Sequence, residues 1–126
     1  MTYNVFIYGT LLPGENNHHI ASPYLIDRKN GNVTGRLFHV GSFPALVLDH
    51  ANTVTGEWFT VSEQGLAEMD NLEGYEPNHS NNHYERVWIK DKNNDIEGYV
   101  YIYSYAKAID LKEITSGCWR TFQRTK

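Results

Sequence analysis

One stretch of this chain carries helical periodicity, and it stands late, after several strand-like runs. That order constrains the fold more than any other feature. Ser62 offers an N-cap side chain, and Glu63 and Gln64 put polar groups in the first turn. Leu66, Met69, Leu72 and Glu73 then recur at spacings that share one helix face, and Gly74 suits a left-handed stop. Elsewhere the period is two. Val5-Phe6-Ile7-Tyr8 is a β-branched and aromatic run ended by Gly9, continuous enough for a strand covered on both faces. Residues 32–40 predict a second strand with Val33 and Leu37 inward, Gly41-Ser42-Phe43-Pro44 a turn, and residues 45–48 a third strand. Residues 53–61 predict a fourth, in which Val54, Trp58 and Phe59 supply the bulk. Residues 84–90 and 97–103 predict a hairpin across the turn-rich stretch 91–95, and the tail from Ala106 carries only a short helical signal. About six strands around one main helix, with no βαβ alternation, predict an α+β fold. Its antiparallel strands would curl into a sheet or small barrel with the helix packed against it.

Composition narrows the function. At 126 residues a single domain, 1–126, is expected. Acidic residues outnumber basic ones, 15 to 11, which argues against a nucleic-acid partner that needs a basic face. The single cysteine, Cys118, excludes an intramolecular disulfide framework and a cysteine-only metal cage; beside Trp119 it reads as packing. The apolar run at 5–8 is too short for a signal peptide or a membrane span, so the expectation is a cytoplasmic protein with no membrane partner.

Four groups of residues could carry chemistry. In Tyr8-Gly9-Thr10-Leu11-Leu12-Pro13-Gly14 a strand ends in glycine, which lets successive backbone N–H groups converge on an anion or carbonyl. No Gly-Lys-[Ser/Thr] follows, so it is not a phosphate loop of the Walker type, and an ordinary strand-to-loop turn is the alternative. Glu73 lies on the apolar face of the helix, where desolvation would raise its pKa towards neutrality and suit a general acid/base; a frayed helix end would leave it solvated instead. Glu57 and Glu68 are weaker candidates. His79 and His83, four apart, lie in an Asn-rich loop with no further metal ligand nearby, so no metal site is expected there. Tyr99, Tyr101 and Tyr103 alternate along one strand face with Tyr84 on its neighbour, forming a core edge, a stacking platform or a pocket wall.

Taken in order, these pieces resemble the γ-glutamylcyclotransferase-like superfamily. The run from Val5 to Leu11 with Gly14 and Asn17-His18 is similar to its N-terminal signature, and Gly56-Glu57-Trp58-Phe59 to the strand before its helix. Met69-Asp70-Asn71-Leu72-Glu73-Gly74 resembles its acidic motif, and Tyr84-Glu85-Arg86 the strand after it. The tail Ile114-Thr115-Ser116-Gly117-Cys118-Trp119 is like that of small bacterial members.

The resemblance implies a small mixed, mostly antiparallel β-barrel with one main helix at its side, and a cavity between the first loop and the acidic helix. It implies that Glu73 is the catalytic residue and that Tyr8, Gly9, Thr10 and Leu11 hold a γ-glutamyl group, with Tyr84 a further wall. It also implies a small-molecule γ-glutamyl substrate that supplies its own nucleophile, so that no metal or other cofactor is called for. Similarity to γ-glutamylamine cyclotransferase does not extend to the ten residues between Glu73 and Tyr84, an Asn/His-rich loop that looks longer here. A non-catalytic protein binding a small amino-acid-like ligand, and an interaction module with a flat tyrosine face, are the other readings.

Overall fold

The computed structural model describes residues 1–124. Along the chain its elements are β1 (Thr2–Ile7), α1 (His18–Ala21), a 3-10 turn (Ser22–Tyr24), β2 (Leu25–Thr34), β3 (Arg36–His39), β4 (Pro44–Val47) and β5 (Thr53–Ser62). They continue as α2 (Glu63–Glu73), β6 (Glu85–Lys90), β7 (Glu97–Ile102), α3 (Tyr105–Ala108), β8 (Lys112–Glu113) and α4 (Trp119–Arg124). The strands form one curled mixed sheet in the order β2-β5-β1-β7-β4-β3-β8, with β6 also on β7. Most pairings are antiparallel; β1 and β4 each join β7 in parallel.

Alternation along the strands gives the sheet two apolar faces. Val5 and Ile7 of β1 pack with Phe59, Val61, Tyr101 and, from α2, Leu66 and Met69. Phe6 and Tyr8 face the other way, into Val33, Leu37, Trp58, Val100 and Trp119. The first run is therefore covered on both sides, as its composition requires.

The helix forms where its spacing places it. Ser62 Oγ accepts the N–H of Gly65 at 3.2 Å, and Gly74 closes the helix at φ 67°, ψ 40°, its N–H returning to the carbonyls of Asp70 and Asn71.

The expected strand at 32–40 is two strands that change partner at Gly35. β2 pairs with β5 and β3 with β4, while the N–H of Gly35 turns to the carbonyl of Asn52. A Cβ at Gly35 would stand 3.1 Å from the Val47 carbonyl oxygen, so the crossing is tight. In the first half of β2 residues 26–30 are exposed, and all but Ile26 are polar, because the strand lies at the end of the sheet, where period-two patterning has little core to record. The tail holds more structure than its sequence suggests: α3, α4 and the short strand β8 on β3.

The edge of β7 is divided. Val5 of β1 sits beside Tyr99, whereas Leu46 of β4 sits beside Ile102. Tyr8 bridges the fork: its hydroxyl donates to the Tyr101 carbonyl at 2.7 Å and accepts the Leu46 N–H at 3.2 Å. Just beyond it the chain leaves the sheet and opens a cavity.

Candidate active site

The cavity measures about 320 Å³ and is walled by three parts of the chain: residues 6–11 with Asn16 and Asn17, the turn Ser42-Phe43-Pro44, and the end of α2 with the stretch that follows it. Gly9 is required here for space. A Cβ on it would lie 2.7 Å from Pro44 Cγ, so only glycine lets the first loop close against the turn.

Within the first loop the Leu12 N–H returns to the Gly9 carbonyl, and the Asn17 N–H to that of Thr10. The Asn17 side chain donates to Thr10 Oγ1 at 2.9 Å, and His18 Nδ1 meets the Leu11 carbonyl at 2.8 Å. These bonds fix the loop through its carbonyls. Among the described residues they leave the N–H groups of Gly9, Thr10 and Leu11 without a backbone acceptor.

Opposite stands Glu73, on the last turn of α2. Its orientation follows from the residue one turn earlier. Asp70 accepts from Arg86 Nη1 and from the Tyr101 hydroxyl, each at 2.6 Å, and Arg86 is layered between the rings of Tyr75 and Tyr99. With Asp70 held by β6 and β7, Glu73 three residues on is turned to the cavity. The strand after the loop completes the fixing, since the Tyr84 N–H donates to the Glu73 carbonyl and the His83 N–H to that of Gly74.

Among the described residues, the Glu73 carboxylate receives no hydrogen bond from the protein. Burial without a compensating donor pushes its pKa up to about 7. The phenols of Tyr8, Tyr84, Tyr101 and Tyr103 are all pushed up, first by burial, with the negative charge of Glu73 a further cause in each case. The cavity thus holds one carboxyl that changes charge near neutrality among tyrosines that stay protonated.

The expected site residues Tyr8, Gly9, Thr10, Leu11, Glu73 and Tyr84 all line this one space. Tyr8 and Tyr84 do so as rings, because their hydroxyls are engaged, Tyr84 with the Pro44 carbonyl at 2.7 Å. Tyr101 lines the cavity too; Tyr103 stands behind His83, and Tyr99 stacks beneath Arg86. Burial of Tyr101 and Tyr103, with a cavity beside Glu73, removes the reading of a flat interaction face.

Glu57 sits apart from this space, between Arg28 at 3.4 Å and Arg120 at 3.7 Å, and Glu68 is exposed. Ser42, Phe43 and His83 are wall residues that sequence reasoning did not assign. The only signals were a phenylalanine inside a turn and a histidine beside the Tyr84 strand. Among the described residues no group of three or more His, Cys, Asp or Glu is placed to hold a metal, and no helix is long and apolar enough to cross a membrane.

The cavity is thus bordered by a glycine-bearing loop and, among the described residues, by one carboxyl with no hydrogen-bond donor. Residues 5–121 match the family described as gamma-glutamyl cyclotransferase, AIG2-like. The chain belongs to this family. It is 33% identical over 105 residues to the Gamma-L-glutamyl-butirosin B gamma-glutamyl cyclotransferase of Niallia circulans, covering 80% of this chain and 67% of that one. An AIG2-like protein from Mus musculus has a similar structure, with a TM-score of 0.71 and 25% identity over 89% of this chain and 85% of that one. YkqA from Bacillus subtilis shares the fold at a TM-score of 0.76 and 21% identity, covering all of this chain (100%) and 44% of that one. As a family member the chain is a cyclotransferase-type enzyme, and its curled α+β sheet is the family's architecture.

Proposed function

We propose that this enzyme cyclises a γ-glutamyl amide to 5-oxoproline and a free amine, with Glu73 moving the proton in both halves of the reaction. The observation that carries the reading is the Glu73 carboxyl, unpartnered and raised to about 7, in a cavity also walled by Gly9, Thr10 and Leu11.

The chemistry asks little of the protein. The substrate's α-amine is the nucleophile and its γ-carbonyl the electrophile, so no nucleophilic side chain is needed. Folding the γ-glutamyl chain into the ring-closing conformation exploits proximity. Ionised Glu73 takes a proton from the α-ammonium, and the freed amine attacks the γ-carbonyl carbon to close the five-membered ring. The backbone N–H groups of Gly9, Thr10 and Leu11 are suited to the oxyanion that develops. Glu73 then gives its proton to the departing nitrogen, the amide C–N bond breaks, and the ring nitrogen passes its second proton to the released amine, which leaves as an ammonium with the Glu73 carboxylate regenerated. A carboxyl with a pKa near the working pH does both tasks.

The test is incubation with a panel of γ-glutamyl amides and γ-glutamyl peptides, followed by mass spectrometry for 5-oxoproline. Wild type is expected to release it and Glu73→Gln to lose at least about a hundredfold in rate. Turnover unchanged in the variant would sink the role of Glu73. Binding without release across the panel would make the protein a ligand-binding member of the family instead.

A further inference from the structure

The proposed chemistry uses the end of the cavity between the first loop and Glu73. The other end is aromatic, and nothing in the ring closure calls for it. Phe43, from the turn after β3, and His83, from the loop after α2, meet edge to face with centroids 5.8 Å apart at 86°. Behind them lie Tyr84, 4.9 Å from His83 and 6.4 Å from Phe43, and Tyr103, 5.5 Å from His83. The two tyrosines are buried and His83 is exposed, so the cluster runs from the core out to the cavity mouth.

We propose that Phe43 and His83 form the subsite for the departing amine, and that it prefers an amine whose substituent is an aromatic ring with no further charge. The inference rests on the γ-glutamyl reading above and names the part of the substrate that reading leaves open.

The exposed imidazole is held from several sides. Its Nε2 is 2.6 Å from the Tyr103 hydroxyl, and its backbone N–H is tied to Gly74. The Lys107 ammonium donates to the His83 carbonyl at 2.5 Å and to that of Asn82 at 3.3 Å. The loop behind is gathered on the Asn82 side chain, which accepts the Glu76 N–H and donates to the Glu76 and His79 carbonyls. A ring fixed in this way presents a preorganised face, and an aromatic partner loses little freedom in meeting it.

Charge and hydrogen bonding select against the alternatives. Among the described residues no lysine or arginine lines the cavity, so the carboxylate of an amino-acid leaving group finds no counterion from them. Lys107 is engaged with two carbonyls and stands 4.8 Å over the Tyr103 ring, where its charge opposes a second ammonium on the leaving group. Partial desolvation against the neighbouring rings, and then that same lysine, push the His83 pKa down, which favours the neutral imidazole at pH 7. The Tyr84 and Tyr103 hydroxyls are already bonded and offer no handle to a polar amine. At about 320 Å³ the cavity is near the lower end of the range for small-molecule sites, which suits a γ-glutamyl group carrying one ring.

The experiment compares kcat/KM of wild type for four substrates: the benzylamide, methylamide, glycine and 1,2-diaminoethane derivatives of the γ-glutamyl group. The benzylamide is expected to lead each of the others by about tenfold or more. The benzylamide-to-methylamide ratio is expected to fall towards one in Phe43→Ala and His83→Ala, with Phe43→Leu intermediate. The same four compounds are titrated calorimetrically into Glu73→Gln, where the benzylamide is expected to bind about tenfold more tightly. Equal kcat/KM for benzylamide and methylamide, or a preference for the glycine or diamine compound, would overturn the aromatic subsite while leaving cyclisation intact. If 5-oxoproline forms from none of the four, cyclisation fails, and the calorimetric ratio alone then decides the subsite.

Discussion

Two carboxylates in this molecule, one buried and one half-buried, are treated in opposite ways. Asp91 stands at the turn of the β6–β7 hairpin and receives five hydrogen bonds. The Asn32 N–H and Trp58 Nε1 reach one oxygen; the N–H groups of Asn93 and Asn94 and the Asn94 amide reach the other. Burial pushes its pKa up, yet these donors outweigh burial and hold it at about 2. Glu73 lines the cavity and receives none from the described residues, so desolvation acts unopposed and its pKa rises to about 7. What decides the charge of a buried carboxyl is the supply of donors as much as the absence of water. The hairpin uses its carboxylate to hold structure. The cavity leaves its carboxyl free to trade a proton.

The sharpest way to break this contrast is to remove each group in turn. Glu73→Gln is expected to lower 5-oxoproline release by about 10²–10⁴-fold while the variant unfolds as cooperatively as wild type. Asp91→Ala should do the reverse. It leaves the Trp58 indole N–H and three backbone N–H groups without their acceptor, at a cost of about 3 kcal/mol in urea denaturation. Turnover by the folded fraction should persist. Loss of activity with little loss of stability in Asp91→Ala would erase the distinction.

Stability against pH separates the two groups next. Glu73 binds its proton more tightly folded than unfolded. Its contribution is therefore fully present below its ordinary value of 4.5 and is lost as pH rises to about 7. Wild type should lose about 2–3 kcal/mol across that window, and Glu73→Gln should not, making the variant the more stable protein at pH 8. Asp91 is the opposite case. Its stabilisation is present above 3.8 and is lost as pH falls towards about 2, an effect of about 2 kcal/mol that Asp91→Ala abolishes. Urea titrations at pH 3, 5 and 8 distinguish the two slopes.

The smallest effect concerns the wall. Tyr84→Phe keeps the ring in the cavity and deletes the bond to the Pro44 carbonyl, which should cost about 1 kcal/mol of stability. Calorimetric unfolding checks it; a much larger loss would mean that the hydroxyl, rather than the ring, organises that wall.

Much of this architecture was legible in the residues. The serine cap, the apolar spacing and Gly74 define α2, and that helix alone places Glu73 on a buried face. The run from Val5 reads correctly as a strand covered twice, because no polar residue interrupts it, although the strand ends at Ile7, one residue before Tyr8. Residues 26–30 were not legible, since this exposed stretch of a terminal strand has no buried side to imprint a pattern. Nor was the divided edge of β7 or the engaged hydroxyl of Tyr8, which depend on where distant strands end. Phe43 and His83 escaped for a related reason: both lie outside the strands and helices, in segments whose meeting depends on the closed sheet rather than on any local period.

The central claim is that Glu73 changes charge near neutral pH inside the cavity. The direct measurement is a ¹³C NMR titration of the glutamate side-chain carboxyls, with the Glu73 resonance assigned by its disappearance in Glu73→Gln. A midpoint at about 7 is predicted. A midpoint at its ordinary value of 4.5 would mean a solvated carboxylate, and the acid/base role assigned to it would fall.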